Sequence, residues 1–543
     1  MNMKKILVTM TVALAVLTAF TAFAQSNPKA RGLESITNDL VMAQLNFLAS
    51  DWTEGREAVS KGAFLAADYI ASVFQMTGLA PAGDMLPNGT RSYLQRIPFI
   101  RTTPGDTQYL SLITNTGAAR LAKNYVQGTD YVVQNGGDVS KSILAPLVFI
   151  GYGMIDEANG YDELKGIDVK GKVVVRLSGY PGHQDVSSAA YAKFKPQPPA
   201  GGRASRGVPS DPRVTAANRA LAEKGALAII TITSDRVALS AQFATNTTFY
   251  PNQRITPTSY GRVALYSSTP DNTPLSVTVS PRLGMDMLGS STFIEEFENN
   301  AAKTMKPQSS LLQGKSVDIV SSVKSELVMG VNVCAMIEGK NKDQNIVIGG
   351  HYDHMGMNGS QIWNGADDDA SGTVAAMTIG RAFIASGVQP ACNIIFAAWT
   401  AEEKGLLGSR YFVETFPDIN KVVMTMNFDM IARDDPQDTN KNLVEYTFTN
   451  TYPQWLEICK ANIRNYNLPL GLRENPQPVG FTAGTDFSPF STAGRPFISW
   501  FTGFHPDYHQ YTDKLNLVNW QKCIDIIRLG YLNMWDIVES IAK

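Results

Sequence analysis

Acidic and imidazole side chains follow short apolar runs at several points between residues 345 and 430. His351-Tyr-Asp353, Glu402-Glu403 and Asp429 each come shortly after such a run. Apolar runs of this length predict buried strands. Sites in open α/β sheets form in the crevice beyond the carboxyl ends of the strands, so these side chains should converge there. Imidazole and carboxylate ligands together suit a divalent metal ion such as zinc.

Three consecutive acids, Asp367-Asp368-Asp369, stand in a turn that is followed by Ala-Ser371-Gly. Asp and Ser favour the first turn of a helix, so a helix over Thr373–Ala385 would explain them without any metal. A metal ion shared with His351 would also relieve the repulsion between adjacent carboxylates. We therefore expect one of the three to bind metal.

Four of the five histidines fall in two pairs, His351 with His354 and His505 with His509. Both pairs lie among the acidic motifs or near a predicted strand end. We expect His351 and His509 to bind metal. The other two should lie beside the site or at the surface.

Two of the acidic motifs predict more specific roles. A metal-bound histidine usually donates its second ring N–H to a carboxylate or carbonyl, and residues two apart in an extended segment point the same way. Asp353 can therefore orient His351. In the pair Glu402-Glu403, one glutamate can bind metal while the other moves protons as a general base.

The order of these motifs resembles that of a known family. His-x-Asp, Gly-Ala-Asp-Asp-Asp-Ala-Ser-Gly, Glu-Glu-x-Gly-Leu-x-Gly-Ser, Asn-Phe-Asp-Met-Ile and Asp-Tyr-His occur in that order between residues 351 and 509. The pattern resembles the co-catalytic di-zinc aminopeptidases, the bacterial leucyl aminopeptidase and glutamate carboxypeptidase group of metallopeptidases. The resemblance is strong over 316–543 and looser over 32–125. It implies an α/β fold with a mixed, mostly parallel central sheet and helices on both faces.

The resemblance also implies site residues, two zinc ions per chain and peptide substrates. In the family pattern Asp368 would bridge the ions, Glu402 would be the general base and Asp353 the partner of His351. Tyr508 could stabilise the oxyanion, and Asp486 and Phe487 lie in a segment that resembles the family's substrate pocket. The expected metal ligands are His351, Asp368, Glu403, Asp429 and His509.

The region from Val126 to about Lys315 differs in texture from the rest of the chain. Strand-like runs dominate it, and the Pro-, Gly- and Arg-rich segment 183–213 predicts a long loop. Phe149-Ile-Gly-Tyr-Gly153 and Asp168-Val-Lys-Gly-Lys172 resemble a protease-associated domain. We expect a β-rich domain at 126–315, inserted between peptidase segments 25–125 and 316–543.

Composition and the N-terminus bear on location and partners. Lys plus Arg number 47 and Asp plus Glu number 49, so no basic field indicates a nucleic-acid partner. Lys4-Lys5, the apolar run 6–20 and Ala22-Phe-Ala24 are typical of a cleaved signal peptide over 1–24. We expect export to the periplasm or the medium, without stable membrane insertion. The four cysteines could be buried thiols or form disulfides.

Three other functions remain open at this stage. A carboxypeptidase or dipeptidase of the glutamate carboxypeptidase type would use the same chemistry. A glutaminyl-cyclase-like transferase shares the fold, although the full ligand set and the insert argue against it. A receptor or binding module on a catalytically dead peptidase fold would not need the metal ligands that this sequence retains.

Overall fold

The computed structural model describes residues 27–117, 119–127, 129–135, 139–196, 211–233, 262–265, 273–290 and 292–541. The signal peptide expected at 1–24 lies outside the described residues. The chain divides into two compact units. One combines the N-terminal part up to Ile97 with Gly330–Lys543, and the other is Pro98–Met329.

The first unit is built on a mixed sheet whose central strands are parallel. Neighbouring strands follow the order Gly471–Gln477, Leu443–Thr449, Phe497–Phe501, Val422–Phe428, Asn341–His351, Cys392–Trp399 and the end of Ser310–Ile337. The four strands from Phe497–Phe501 to Cys392–Trp399 are parallel to one another. Antiparallel pairing begins on either side of them. The predicted mixed, mostly parallel sheet is therefore confirmed.

The helices of this unit pack on the sheet and on one another. Their bounds are Pro28–Glu34, Asn38–Leu48, Lys61–Thr77, Gly372–Ser386, Leu407–Thr415, Pro453–Asn465, Phe487–Thr492 and Trp520–Ile541. The helix Lys61–Thr77 begins where Ser60 accepts the N–H of Ala63 and ends at Gly78, which is left-handed. Gly372–Ser386 is almost wholly buried because it packs on helices as well as on the sheet. Its burial fixes the position of the acidic turn Ala366–Ser371 just before it.

The second unit has its own hydrophobic core. Its parallel strands are Lys141–Phe149, Val173–Leu177, Ala228–Ile232 and Leu275–Val279. The unit also has antiparallel strands, which are Leu94–Thr116, Ala119–Tyr125, Tyr131–Asn135 and Arg262–Leu265. Its helices are Ala189–Phe194, Pro212–Glu223, Pro281–Leu288 and Phe293–Thr304.

Several local predictions differ from the structure. The loop expected at 183–213 contains the helix Ala189–Phe194, and its residues 197–210 lie outside the described part. All four cysteines are buried free thiols, so no disulfide forms. Among the described helices, none combines the length and apolarity needed to cross a membrane.

Candidate metal centre

Parallel strands bring the predicted site residues to one edge of the sheet in the first unit. His351 is the last residue of its strand, and Trp399 lies beside it at the end of the neighbouring strand, just before Glu402. Asp429 directly follows the strand Val422–Phe428 on the other side. The carboxyl ends of these strands therefore place an imidazole and carboxylates side by side, as expected for an open α/β sheet.

The carboxylate of Asp368 lies between two histidines. Its Oδ1 is 3.2 Å from His351 Nε2, and its Oδ2 is 3.2 Å from His509 Nε2. On one side Asp429 Oδ1 lies 3.9 Å from His351 Nε2. On the other, Glu403 Oε2 lies 3.2 Å from His509 Nε2. All five predicted ligands thus meet around one carboxylate that faces two groups of donors.

The donors fit zinc, because imidazole nitrogen and carboxylate oxygen are zinc ligands. Candidate ligand atoms of His351, Asp368 and Asp429 lie within 4.8 Å of one another. All three side chains are buried, so a bound ion would be shielded from solvent.

A further histidine, His354, lies near Glu403 and Asp368. Its Nδ1 lies 2.9 Å from Glu403 Oε1 and 3.9 Å from Asp368 Oδ2. His509 faces Oε2, the other oxygen of Glu403, and is closer to Asp368. His354 thus contacts the far oxygen of Glu403, and candidate ligand atoms of His354, Asp368 and Glu403 also lie within 4.8 Å of one another. The choice of His509 over His354 as a metal ligand stays a prediction.

The other two aspartates of the acidic turn bind backbone groups. Asp369 accepts the N–H groups of His351, Gly372 and Met430, at 3.1, 2.9 and 3.0 Å. Asp367 accepts the N–H of Ala432 at 2.6 Å. Asp369 thus joins the residues that follow two strands to the start of a helix, which leaves Asp368 to face the histidines.

Glu402 and Asp353 are linked through the backbone. The N–H of Glu402 donates to Asp353 Oδ1 at 3.0 Å, and Glu402 Oε2 lies 3.8 Å from His351 Nε2. His351 Nδ1 is 3.0 Å from the main-chain carbonyl of Asp353 and 3.8 Å from its carboxylate. The predicted contact between these two residues is therefore shortest at the carbonyl, while the carboxylate fixes the segment that carries Glu402.

The electrostatics of the pocket favour additional positive charge. Burial lowers the pKa of His509, but the carboxylates of Glu403 and Asp368 outweigh it and raise the pKa to about 9. Burial likewise opposes the charged form of His351, yet Glu402 and neighbouring aspartates hold its pKa well above the usual value. These histidines retain protons because the surrounding carboxylates attract cations. Divalent ions would take the place of those protons.

The remaining predicted residues have clear contacts. The ring of Tyr508 stacks on the ring of His509, with centroids 3.8 Å apart. Asp486 accepts a hydrogen bond from Ser409 at 2.5 Å. Phe487 is fully buried and stacks on Phe497 at 4.3 Å. The roles assigned to Tyr508, Asp486 and Phe487 from the sequence stay predictions.

Two charged residues of the pocket were not predicted. Asp513 accepts the N–H groups of Asp367 and Asp368, at 3.1 and 3.2 Å. Burial, together with the charge of Asp367, raises the pKa of Asp513 to about 7. Arg56 is fully buried and binds four backbone carbonyls. Apart from Leu48, which lies close to Arg56 in the chain, these partners are far along the chain, and no local motif marks either residue.

Comparisons with known proteins agree with this geometry. Residues 332–530 match the model of peptidase family M28. The chain is 30% identical over 195 residues to a probable leucine aminopeptidase 2 of Aspergillus oryzae, a match that covers 35% of this chain and 36% of that protein. It is 29% identical over 176 residues to leupeptin-inactivating enzyme 1 of Streptomyces exfoliatus, over 32% of this chain and 36% of that protein. The matches thus span about a third of the length of these relatives.

One solved structure is similar over nearly the whole chain. The aminopeptidase from Aneurinibacillus sp. strain AM-1 superposes with a TM-score of 0.54, covering 94% of this chain and 95% of that one. The sequences are 16% identical, so the likeness concerns the fold.

Proposed function

We propose that this chain, whose residues 332–530 match the model of peptidase family M28, is a zinc-dependent aminopeptidase that removes N-terminal residues from peptides. The observation that carries the proposal is the position of Asp368. Its two oxygens each lie 3.2 Å from a different histidine, so it can bridge two metal positions. The general-base candidate Glu402 lies 3.8 Å from one of those histidines.

The ligands divide into two sets that share Asp368. His351 and Asp429 would hold one zinc ion, and Glu403 and His509 would hold the other. When bound, the ions would polarise the scissile carbonyl and lower the pKa of the attacking water. Asp369 and Asp353 hold the ligand-bearing segments through backbone N–H groups, so their part is to keep the donors in place.

Glu402 would perform the proton transfers. Its carboxylate accepts the proton of the attacking water and then delivers it to the amine that leaves when the peptide bond breaks. The bond from its own N–H to Asp353 fixes its backbone. Because Glu402 is buried, it shares the water-poor environment of the ligands, where electrostatic interactions are stronger.

The charges near the ligands support an aminopeptidase rather than a carboxypeptidase. Lys404 pairs with Glu57 at 2.7 Å, and Arg433 pairs with Asp507 at 2.6 Å. Arg56 is engaged with backbone carbonyls. These three cations already have partners, whereas the centre itself is rich in carboxylates. Such a pocket suits the α-ammonium group of a peptide better than its terminal carboxylate.

The test compares substrates with free and blocked amines. Leucine p-nitroanilide should be hydrolysed, and N-acetyl-leucine p-nitroanilide should react at least about 100-fold more slowly. A chelator should abolish the activity and added zinc should restore it. Release of C-terminal residues from N-blocked peptides would instead indicate a carboxypeptidase. Full-length protein that binds no zinc would indicate a binding module.

Three finer points belong to the same proposal. Two zinc ions per chain follow from the two ligand sets, and metal analysis of the purified protein would count them. Export rests on the signal-peptide pattern at 1–24, and the mature N-terminus would test it. The assignment of 126–315 as a protease-associated domain rests on its sequence motifs.

A further inference from the structure

Arg56 is a fully buried arginine in the short turn Asp51–Arg56 of the first unit. Its guanidinium donates to four main-chain carbonyls. Nε binds Tyr352 O at 2.6 Å, Nη1 binds Leu48 O at 2.5 Å and Asn364 O at 2.6 Å, and Nη2 binds Gly365 O at 3.0 Å. The carbonyl of Arg56 in turn accepts the N–H of His354 at 3.1 Å.

The carbonyls belong to the segments that carry metal ligands. Tyr352 lies between His351 and Asp353. Asn364 and Gly365 come just before the acidic turn Ala366–Ser371, which contains Asp368. One planar side chain therefore joins the loop after His351 to the loop before Asp368. A guanidinium group suits this role because it is rigid and its N–H donors point in several directions within one plane.

The charge of Arg56 is balanced by the acids of the site. A buried cation is costly unless nearby negative charge offsets it. Burial lowers the pKa of Arg56 to about 10, and the charges of Asp353, Asp513, Asp368 and Asp369 act in the opposite direction. Its hydrogen bonds go to neutral carbonyls, so its charge is available to offset the acidic cluster.

We propose that Arg56 is a positioning residue for the metal centre: it holds the two ligand-bearing loops in their binding geometry. The proposal rests on the metal-dependent function proposed above. Groups that orient metal ligands typically contribute 10- to 100-fold to metal affinity or activity. An arginine that only supported the fold would contribute to unfolding free energy but not to the zinc affinity of the folded protein.

The test measures zinc affinity by competition with a chromophoric chelator, well below the unfolding temperature. The variants are Arg56→Lys, which keeps the charge but loses the fork, and Arg56→Met, which loses both. We expect zinc affinity to fall at least about tenfold in each. The matched control is Arg528→Met. Arg528 also binds a carbonyl, that of Ile36, and a carboxylate, that of Asp525. The zinc affinity of the Arg528→Met variant should stay within about twofold of that of the wild-type protein.

A measurement on the wild-type protein covers the case in which the variants do not fold. If Arg56 preorganises the loops, the amides of His354, Asp367 and Asp368 should exchange hydrogen slowly even after zinc is removed. Rapid exchange of these amides in folded, zinc-free protein would overturn the proposal. So would folded variants with wild-type zinc affinity. In either case hydrolysis of leucine p-nitroanilide by the wild type would still support the proposed function.

Discussion

Adjacent residues in the acidic turn contribute to the site in different ways. Asp367 and Asp369 accept backbone N–H groups from the segment after Asp429, and Asp369 also accepts the N–H of His351. Only Asp368 faces both histidines. A buried carboxylate must find donors or cations. Backbone donors satisfy Asp369, and a backbone donor together with the ring of His505 satisfies Asp367. The charge left for metal ions is therefore concentrated on Asp368.

Replacing Glu402 by Gln should separate proton transfer from metal binding. The amide keeps the size of the side chain but cannot accept the proton of the attacking water. We expect kcat to fall about 100- to 10,000-fold, while the zinc content by metal analysis is unchanged. Glu414→Gln, on the exposed face of the helix Leu407–Thr415, is the control and should keep wild-type kcat. Normal turnover in the Glu402 variant would exclude Glu402 as the base.

The raised pKa of His509 predicts how zinc affinity depends on pH. Its value in the folded protein without metal is about 9, against an ordinary value of 6.5. The protonated imidazole therefore stabilises the metal-free fold fully below pH 6.5, and this contribution is lost as the pH rises through about 9. Zinc must displace that proton. Its apparent affinity should rise up to about tenfold per pH unit across this window.

Chelator competition at pH 7.0, 7.75 and 8.5, corrected for titration of the chelator, would measure this dependence. Proton release on zinc addition in weakly buffered solution gives an independent check. An affinity that stays flat across these pH values would show that no imidazole proton is displaced.

Sequence alone could predict which side chains converge around Asp368, because each stands next to a recognisable strand or turn. His351 and Asp429 adjoin the ends of apolar strands, and Asp368 opens a helix. Arg56 and Asp513 carry no such mark, since most of their partners are backbone groups remote in the chain. Almost any residue can supply a backbone carbonyl or N–H group. Hydrogen bonds to such groups therefore leave no recognisable pattern in the sequence.

At the scale of elements, two glycines allow the strands and the acidic turn to approach. A Cβ on Gly350 would lie 2.9 Å from Asp369 Oδ2, and one on Gly372 would lie 2.4 Å from the carbonyl of Phe428. Either side chain would displace the carboxylate or the strand that holds it. The Gly-Gly-His and Ser-Gly motifs are thus consequences of close packing around Asp369.

Asn332 ties the segment that carries Glu402 and Glu403 to the sheet. Its Oδ1 accepts the N–H of Thr400 at 3.0 Å, and its Nδ2 donates to the carbonyl of Gly408 at 2.9 Å. In Asn332→Ala, the N–H of Thr400 and the carbonyl of Gly408 both lose this partner. We expect it to lower the unfolding free energy by about 1–3 kcal/mol and kcat/KM by about tenfold or more, since Glu402 and Glu403 lie between these two contacts.

Asn393→Ala is the matched control, because Asn393 makes similar bonds at the start of the strand Cys392–Trp399, whereas Asn332 contacts Thr400 just after the end of that strand. It accepts the N–H of Gly339 at 2.9 Å and donates to the carbonyl of Lys342 at 3.1 Å. It should lose comparable stability in denaturant titrations and keep wild-type kcat/KM. Equal losses of activity in both variants would mean that the effect of Asn332 is general destabilisation.

At the scale of the whole molecule, the predicted ligands all belong to the first unit, and the second unit has a separate core. The sequence predicts an insert at 126–315, whereas the compact unit is Pro98–Met329. The strand Leu94–Thr116 pairs with Ala119–Tyr125 as a hairpin, so the chain joins the second unit well before its composition changes. The residue composition of a segment indicates whether it is buried. The pairing of half-exposed strands in a hairpin depends instead on their register, which the local sequence specifies weakly.

Glu163 gives the second unit a pH dependence of its own. Burial raises its pKa to about 7, although Tyr161 and the backbone of Tyr152 and Met154 donate hydrogen bonds to it. The folded unit therefore keeps this proton to higher pH than the unfolded chain does. The stabilising contribution is complete below about pH 4.5 and is lost as the pH rises through about 7. Full loss corresponds to about 3 kcal/mol.

Hydrogen exchange in the buried strand Val173–Leu177 reports this loss without interference from the metal centre. Between pH 5 and 7.5, after correction for intrinsic exchange rates, its protection should decrease in the wild type. Glu163→Gln has no proton to lose, so its protection should be flat over the same range. Glu157→Gln, at an exposed position in the same unit, should behave like the wild type. A pH dependence that persists in the Glu163 variant would have to come from another group in this unit.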